Sequence, residues 1–242
     1  MTFDDAIRMH IEKGAEITVV YHDMKEKNEQ LNRSSVYEVN EDGKVIGMET
    51  NPRYPKSTLQ GMGMFIINRI KLIELIEEAY ARGSHDFVRD ILKTAVENHK
   101  VYGYEYKGFV GIVDNIRSYF ETNMKMLEPE IRKDIFSSEN RIYTKVKDQV
   151  PTQYGKEAVV ADSLIADGCV IEGTVENSII FRGVHIAKGA VVKNSIVMQN
   201  SVIEENCDIE NVVIDKECTL RQSKRLVGQP NYPVILPKRT LL

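Results

Sequence analysis

Residues 159–220 read VVADSLIADGCVIEGTVENSIIFRGVHIAKGAVVKNSIVMQNSVIEENCDIENVVIDKECTL. Large, mostly aliphatic residues recur in this stretch every six positions, with one step of eight, and a small residue follows four positions after each. Helices repeat every 3.6 residues and ordinary strands every 2, so neither produces this pattern. A hexapeptide β-helix does, because each six-residue unit forms one face of a triangular prism. The first position of the units is held by Val159, Ile165, Ile171, Ile179, His185, Val191, Val197, Ile203, Ile209 and Asp215.

Three such units make one coil, and neighbouring coils bond to each other at a spacing of about 4.8 Å. The pattern therefore predicts a left-handed parallel β-helix of a little over three coils. Its first position points into the prism and its small residue sits at a corner. This places Val197 and Ile203 inside, Ser201 at a corner and Asn200 on the outer surface. His185 takes an inward position, so we expect a hydrogen-bonded core histidine rather than the catalytic base of a hexapeptide acyltransferase.

The three cysteines of the chain, Cys169, Cys207 and Cys218, all lie in this stretch. Two coils of three units each, together with the extra positions of the longer step, separate Cys169 from Cys207. We therefore expect these two residues to stack at one corner about 9–10 Å apart, beyond the roughly 7 Å at which a disulfide forms. All three cysteines are interpreted as buried small hydrophobic residues.

The composition is that of a globular protein, with 42% hydrophobic and 28% charged residues among 242. The 32 basic and 36 acidic side chains give a net charge of −4, which leaves no basic field for nucleic acid. No apolar run approaches the roughly 18 residues of a membrane span, and residues 1–10 lack the basic and apolar regions of a signal peptide. We expect a cytoplasmic protein with no membrane partner.

The part of the chain before the hexapeptide region alternates helices and strands. β-Branched runs, a hairpin turn at Asp42-Gly43 and a helix capped by Ser84 predict a mixed α/β layer. The predicted helices lie near 4–13, 69–82, 86–98 and 116–126. The predicted segments are an α/β domain at 1–127, a connector at 128–157, and the β-helix with a C-terminal tail at 158–242.

Several motifs follow one another before the hexapeptide region. They are GAEITVV at 14–20, GMGMFII at 61–67, SHDFVRDIL at 84–92 and KGFVGIVDNIRSYFETNMKML at 107–127. Their order resembles the ADP-glucose pyrophosphorylase (glucose-1-phosphate adenylyltransferase) family, and is most similar to its non-catalytic glycogen-biosynthesis subunit, the GlgD type. The resemblance implies the later part of a Rossmann-like nucleotidyltransferase domain with a mixed sheet, followed by the left-handed β-helix.

The family joins ATP to glucose 1-phosphate and releases pyrophosphate. Its chemistry uses a Gly-rich basic loop for the triphosphate, carboxylates for Mg²⁺ and a lysine for the sugar phosphate. No Gly-x-Gly-x-x-Arg-type loop occurs in this sequence. We therefore expect no catalytic residue, no metal site and no cofactor in this chain, although the family uses Mg²⁺.

The family's sugar-phosphate motif F-x-E-K-P aligns with residues 48–52. Thr50 and Asn51 stand where the motif has glutamate and lysine, so a positive charge is lost where a phosphate needs one. The S-x-D-F-G motif survives around Asp86, which is a candidate for binding a sugar hydroxyl or, alternatively, for supporting a helix cap.

The family's G-Y-W-x-D-V-G motif aligns with residues 108–114. Ile112 stands at the position of the metal-binding aspartate, and an apolar side chain cannot bind Mg²⁺. Asp114 lies two residues further on and would face the same way in a strand, so a shift of register would restore a carboxylate. The candidate substrate-binding residues are Thr50, Asn51, Asp86 and Asp114.

Basic side chains of the β-helix are candidates for an anion site. The family binds phosphorylated effectors, so the resemblance implies a phosphorylated-sugar effector here, whereas most basic residues are merely solvated. The hexapeptide region contains one histidine, which excludes a zinc site built from three. The candidate effector-binding residues are Arg182, Lys188, Arg221 and Lys238.

We interpret the chain as a non-catalytic, regulatory partner in ADP-glucose synthesis for glycogen. Its expected partners are a catalytic glucose-1-phosphate adenylyltransferase subunit, further copies of itself, or both, because open strand edges and apolar surface have to be covered. Two alternatives stay open. One is an active sugar-phosphate nucleotidyltransferase whose N-terminal part lies outside this sequence, and the other is a hexapeptide acyltransferase.

Overall fold

A mixed β-sheet covered by helices forms the first part of the molecule. The computed structural model describes residues 3–24, 35–136, 142–143 and 147–242, and contacts divide the chain into two units, Met1–Gly108 and Phe109–Leu242. The sheet of the first unit has the order β3-β2-β4-β1-β5, in which β1 and β5 are parallel and the other neighbours antiparallel. Its strands are β1 Ile17–Asp23, β2 Ser35–Val39, β3 Val45–Thr50, β4 Leu59–Ile67 and β5 Val101–Glu105.

The hairpin between β2 and β3 turns where the sequence predicts it. Gly43 has a φ of +83°, which glycine adopts without strain, and the Asn40 side chain accepts a hydrogen bond from the Lys44 amide at 2.8 Å. The Gly103 amide of β5 donates to the Gly43 carbonyl at 2.9 Å. The hairpin tip therefore reaches the far edge strand, and the sheet is strongly curled.

Two helical segments of the first unit begin at side-chain caps. Asn68 accepts a hydrogen bond from the Ile70 amide and begins α2. Asp86 begins the π-helix that continues into α3, so the predicted cap at Ser84 is wrong. The core contains Ile17, Tyr37 and Leu92, all completely buried. The helices are α1 Asp4–Glu12, α2 Arg69–Ala81, the π-helix Phe87–Leu92 and α3 Lys93–Asn98.

The second unit contains a parallel β-helix with five strands on each of three faces, more than the three coils predicted. Face one comprises β6 Gln153–Tyr154, β9 Val170–Ile171, β12 His185–Ile186, β15 Val202–Ile203 and β18 Thr219–Leu220. Face two comprises β7 Val159–Ala161, β10 Thr174–Glu176, β13 Val191–Lys193, β16 Asp208–Glu210 and β19 Arg225–Val227. Face three comprises β8 Leu164–Ile165, β11 Ile179–Ile180, β14 Ile196–Val197, β17 Val212–Ile214 and β20 Val234–Leu236.

The regular coil of this solenoid is one residue shorter than three hexapeptide units. On face two, Thr174 pairs with Val191 and Val191 with Asp208, each 17 positions on. The step from face two to face three takes five residues instead of six, which a six-residue period does not reveal. The inward positions are therefore Ile171, Ile180, Ile186, Val192, Val197, Ile203, Ile209, Ile214 and Leu220, all 0–1% exposed.

This spacing corrects half of the predicted inward positions. Val197 and Ile203 point inward as predicted, as do Ile171 and Ile209, and Ile165 packs against the core. Five other predicted inward positions are wrong by one residue and lie outside the prism core; they are Val159, Ile179, His185, Val191 and Asp215.

The cysteines are buried and free, as predicted, but their predicted stacking is wrong. Cys169 lies at the corner between faces three and one, in a column that continues through Ser201 to Cys218. Cys207 lies at the corner between faces one and two, where its carbonyl accepts the Val191 amide at 2.8 Å. The shorter coil places the two residues at different corners.

Left-handed backbone conformations make the corners. Asn177, Asn194 and Asn211 recur once per coil between faces two and three with φ of 43°, 43° and 54°, a conformation that asparagine tolerates better than most residues. Neighbouring amides bond along this column, from Asn177 Nδ2 to Asn194 Oδ1 at 2.7 Å.

Two coils depart from the regular length. Only Glu172 and Gly173 connect β9 to β10, whereas four residues connect the corresponding strands in the other coils. A Cβ at Gly173 would overlap the Ala190 carbonyl oxygen, so this corner admits only glycine. On face three the last step, from Val212 to Val234, is longer than the regular coil because an extra loop follows β19.

An amphipathic helix covers face three. The segment after Gly108 includes α4 Ile116–Lys125 and α5 Pro129–Ile135, and Phe120 of α4 packs on the outward residues Ile179, Ile196 and Val213. In space α4 thus belongs with the solenoid, although the sequence groups it with the α/β domain. The predicted boundaries at 127 and 157 stay a prediction, and the parts of the predicted connector at 137–141 and 144–146 lie outside the described residues.

Candidate functional site

Thr50 and Asn51 lie together where β3 ends. Thr50 pairs with Ser35 of β2, and Asn51 leaves the strand with a φ of +51° and an exposed side chain. The Thr50 hydroxyl oxygen is buried and has no hydrogen-bond partner among the described residues. Lys56, the cation bonded nearby, pairs at 4.0 Å with Glu49. At the two motif positions this corner therefore offers neutral polar groups, and the cations beside them among the described residues are Lys56 and Arg53, the second of which lies over the Tyr54 ring.

Tyr37 lies on β2 beside Ser35, the strand partner of Thr50. It was not among the site residues selected from the sequence. Its side chain is completely buried, and its hydroxyl accepts a hydrogen bond from Ser35 Oγ at 3.2 Å. A Cβ at Gly61 would lie 2.6 Å from Ser35 Oγ and 2.8 Å from the Tyr37 ring. Burial raises the pKa of Tyr37, so this hydroxyl stays protonated. A glycine inside a strand signals such a close approach, and Gly61 was the available clue.

Asp86 is the N-cap of the π-helix. Its Oδ1 accepts a hydrogen bond from the Arg89 amide at 2.7 Å. Of the two roles that the sequence allowed for Asp86, sugar binding and support of a helix cap, the structure shows the second. Asp86 itself supplies the cap, whereas the sequence assigned it to Ser84.

Asp114 is held at the beginning of α4. Residues 109–113 are not in a strand, so the argument that Ile112 and Asp114 share a strand face is wrong. Asp114 Oδ1 accepts hydrogen bonds from Ser118 Oγ and Asn115 Nδ2, both at 2.8 Å. Asn115 and Ser118 form the capping box of the helix. The structure thus uses Asp114 to support a cap.

The implied Mg²⁺ does not fit the described residues. Ile112 is 43% exposed and has no oxygen to offer on its side chain, and Asp114 is engaged as above. Within the described ranges, no group of three or more histidine, cysteine, aspartate and glutamate side chains is placed to hold a metal ion.

The four candidate effector-binding residues do not form one cluster. Arg182 and Lys238 lie at the corner between faces three and one, and Lys188 and Arg221 at the corner between faces one and two. Lys188 pairs with Glu157 at 2.8 Å and Lys238 with Glu217 at 3.5 Å. Each of these two lysines therefore already has a carboxylate partner, although Glu217 also bonds Arg239 at 2.6 Å and is shared between the two cations.

The short corner at Gly173 opens a hollow of about 400 Å³ around Lys188. Its charged lining is Glu157, Glu172, Glu205 and Lys188. The hydrogen bond to Glu157 raises the pKa of Lys188 and lowers that of Glu157, so the pair stays ionised. Three carboxylates against one ammonium make the hollow net negative, which disfavours a phosphorylated ligand there.

His185 is a surface residue, so the predicted core histidine is wrong. Its side chain is 43% exposed, and its Nε2 lies 3.1 Å from Glu172 Oε2. It borders a second hollow of about 350 Å³ together with Glu204, Glu205 and Gln222. The neighbouring residue Ile186 takes the core position instead.

Two family models match the chain, one after the other. Residues 1–129 match the model described as nucleotidyl transferase, and residues 147–231 match the model described as GlmU-like, C-terminal hexapeptide. The chain belongs to the nucleotidyl transferase family. In the part of the chain that the structure describes, no helix is long and apolar enough to cross a membrane.

The chain is also similar to individual proteins of this family, of which three are described here. The chain is 35% identical over 196 residues to glucose-1-phosphate adenylyltransferase of Geobacillus stearothermophilus, covering 80% of this chain and 50% of that protein. It is 35% identical over 179 residues to glycogen biosynthesis protein GlgD of Bacillus subtilis, covering 74% and 52%. It is 30% identical over 234 residues to glucose-1-phosphate adenylyltransferase of Bacillus cereus, covering 96% and 62%. The chain thus spans between half and two thirds of the length of these relatives.

Proposed function

We propose that this chain acts as a non-catalytic, regulatory subunit in the synthesis of ADP-glucose from ATP and glucose 1-phosphate during glycogen biosynthesis. The observation that carries the proposal is the neutral pair Thr50 and Asn51 at the end of β3. A sugar phosphate needs a cation, and the family's lysine position holds Asn51. The nearby cations among the described residues have other contacts, since Lys56 pairs with Glu49 at 4.0 Å and Arg53 lies over the Tyr54 ring.

Two further observations support a non-catalytic role. Ile112 cannot bind Mg²⁺, and Asp114 supports the cap of α4 instead of replacing the missing carboxylate. The likeness to glycogen biosynthesis protein GlgD suggests the same role, but the chain is equally identical, at 35%, to a glucose-1-phosphate adenylyltransferase, so the proposal rests on the residues.

The proposal requires partners, namely a catalytic glucose-1-phosphate adenylyltransferase subunit, further copies of this chain, or both. An effector that is a phosphorylated sugar would act on that assembly. Arg182 and Arg221 are the basic candidates to test first, because Lys188 and Lys238 are paired with carboxylates.

The test is an assay of pyrophosphate release from ATP and glucose 1-phosphate with Mg²⁺. We expect no turnover by the chain alone, and a severalfold change in effector response when it is mixed with a catalytic subunit. Light scattering on the same mixture should show a complex. Turnover by the chain alone that falls in Asp114→Asn, or a catalytic subunit that neither binds the chain nor changes its kinetics, would contradict the proposal.

One observation favours the acyltransferase alternative. His185 and Glu172 form an exposed histidine–carboxylate pair beside a hollow, and such a pair can act as a general base. Thiol release from acetyl-coenzyme A in the presence of amino sugars and their phosphates would reveal the activity. It should then vanish in His185→Gln and persist in Lys188→Gln; release that is unaffected by His185→Gln rejects this alternative.

A further inference from the structure

A pocket of about 600 Å³ lies between the beginning of α4 and the loop that precedes β20. Its volume is in the range of sites that enclose small molecules. Both walls belong to the second unit, and neither contains one of the candidate site residues named from the sequence. It is referred to below as the α4 pocket, and its lining is Asn115, Ile116, Arg117, Asn231, Tyr232, Pro233, Val234 and Ile235.

The apolar wall of the α4 pocket continues a buried surface. The outward residues of face three form one apolar column, in which Val213 lies beneath α4 and is 5% exposed. Ile235 is the next residue of that column, pairs with Val213, and is 39% exposed. Ile116 and Tyr232 beside it are 50% and 83% exposed. A ligand with an apolar body would extend the packing that α4 provides further down the column.

Both walls are held in place without a ligand. The capping box of Asn115 and Ser118 fixes the first turn of α4. Gln229 and Tyr232 exchange two backbone hydrogen bonds of 3.1 and 2.9 Å in the facing loop. A Cβ at Gly228 would overlap the Asn211 carbonyl, so the loop begins tightly against the preceding coil. A preformed pocket binds a ligand at a lower entropic cost.

The polar groups of the α4 pocket favour an anion over a cation. Arg117 is the charged residue among the residues that line it. Its Nε bonds Glu121 at 2.7 Å, which leaves its two terminal nitrogens to donate. The nearby Asp114 carboxylate is satisfied by Ser118 and Asn115. The Asn231 side-chain amide adds a neutral donor to the lining.

We propose that the α4 pocket binds a small aromatic carboxylic acid, with its ring between Ile116, Tyr232 and Ile235 and its carboxylate on Arg117. Aromatic rings satisfy the flat apolar walls, and a guanidinium recognises a carboxylate through paired donors. The hollow at Gly173 would not bind such a ligand, because it is lined by three carboxylates and has no comparable apolar wall.

The test uses the full chain with 2-naphthoate and its neutral twin 2-naphthamide as probes, and calorimetry as the measurement. We expect 2-naphthoate to bind more tightly than the amide. Arg117→Gln should weaken the acid about tenfold and change the amide less than about twofold, as expected for loss of a charge-assisted hydrogen bond. Ile116→Gln should weaken both probes about threefold or more.

Two matched variants serve as controls. Arg225→Gln removes an exposed arginine on face two, and Ile46→Gln replaces an isoleucine that is 61% exposed in the first unit; both should bind like the unchanged chain. Equal affinity for acid and amide, binding unchanged in Arg117→Gln and Ile116→Gln, or no binding below several millimolar would each overturn the proposal. None of these results depends on nucleotidyl transfer, so the proposed function is tested separately.

Discussion

Two glycines in each unit of this molecule are confined by different kinds of neighbouring atoms. In the solenoid, a Cβ at Gly173 or Gly228 would meet backbone atoms of the adjacent coil. In the mixed sheet, a Cβ at Gly61 or Gly103 would meet side chains, among them Ser35 Oγ and the Tyr21 ring. Backbone that is bonded on both sides cannot move, whereas a side chain can change rotamer. An added Cβ should therefore be tolerated less well at these two solenoid positions than at the two sheet positions, whereas Gly183 and Gly189 of the solenoid face asparagine side chains.

Glycine-to-alanine substitutions should give the largest effect and test this comparison directly. Gly173→Ala would break the bond between the Thr174 amide and the Ala190 carbonyl, now 2.8 Å long, and should cost more than about 4 kcal/mol. Gly103→Ala displaces the Tyr21 ring, 2.7 Å away, and should cost about 1–3 kcal/mol. Urea unfolding of both variants would measure the difference. Similar losses of unfolding free energy in the two variants would show that the hydrogen-bonded backbone of the coils yields as easily as a side chain.

Truncation inside the prism should have the next largest effect. Ile203 is completely buried in the solenoid core, so Ile203→Ala should cost about 2–5 kcal/mol. Val191→Ala is the control, because Val191 was predicted to lie inside and in fact lies on the outer side of face two. The control should lose less than about 1 kcal/mol. A larger loss in Val191→Ala than in Ile203→Ala in thermal melts would contradict the assigned coil length.

Enlarging a corner residue should come third. Ser201 is completely buried, donates to the Asp215 carbonyl at 3.0 Å and accepts the Cys218 amide at 3.2 Å. Ser201→Leu would remove both bonds and crowd the corner, at about 1–3 kcal/mol. Ser163 also makes two side-chain bonds, to the Ala161 carbonyl at 2.7 Å and from the Ser178 amide at 3.1 Å, but its burial is intermediate. Ser163→Leu is therefore the comparison for crowding alone and should lose less stability than Ser201→Leu. Equal melting temperatures for Ser201→Leu and the unchanged chain would contradict the assigned corner.

The first unit should be the more sensitive to acid, through Glu16. Its carboxylate accepts the Lys100 amide at 2.9 Å and pairs with Lys71 and His99, both at 3.2 Å. The bond from Lys100 is the main cause that lowers the pKa of Glu16 from 4.5 to about 2. Because the pKa of Glu16 is lower in the folded state than in the unfolded state, the ionised carboxylate stabilises the folded state at a pH above the unfolded pKa of 4.5. This stabilisation is lost as the pH falls from 4.5 towards 2.

We therefore expect Glu16→Gln to be less stable than the unchanged chain at pH 6, by about 1 kcal/mol after allowing for solvent screening. The gap should close as the pH falls below 4. Hydrogen exchange of the peptide covering 17–23, followed at several pH values, would report on this unit alone. A gap that stays constant down to pH 2 would show that the carboxylate does not carry the effect.

The smallest effect should come from a corner asparagine. Asn200 has a φ of +57°, so Asn200→Ala should cost up to about 1 kcal/mol, while Asn200→Gly should cost only a few tenths. Thermal melts of the pair would separate backbone strain from loss of the amide. If glycine destabilises as much as alanine, the side chain rather than the backbone matters at this corner.

The fold could be predicted from the sequence because each face of a parallel β-helix requires a large inward residue and a small corner residue, and these recur about every six positions. The coil length could not, because the five-residue step is invisible when only a six-residue period is sought. A better signal was present: ENSIIF at 176–181, KNSIVM at 193–198 and ENVVID at 210–215 follow one another at a constant interval, once per coil. The asparagines of these segments are the left-handed corner residues, and they would have placed His185 outside and Ile186 inside.

The candidate sites were harder to predict, because motif residues do not reveal their partners. Asp114 and Asp86 look like ligands in sequence, yet both are used by the helix that follows them. Tyr37 and the α4 pocket depend on strands and loops that meet only in three dimensions. The residues that resemble a family motif were found, while those whose role depends on packing were not.

The two irregular coils have a consequence for how the solenoid assembles. Coils of equal length and similar sequence can pair one coil out of step with little loss, and such mispairing is a common kinetic trap in repeat proteins. The short corner at Gly173 and the long step before Val234 fit only one neighbour each. The short connection lies near the start of the solenoid and the long one near its end. A chain whose coils paired one coil out of register could not form both connections, so together they fix the register.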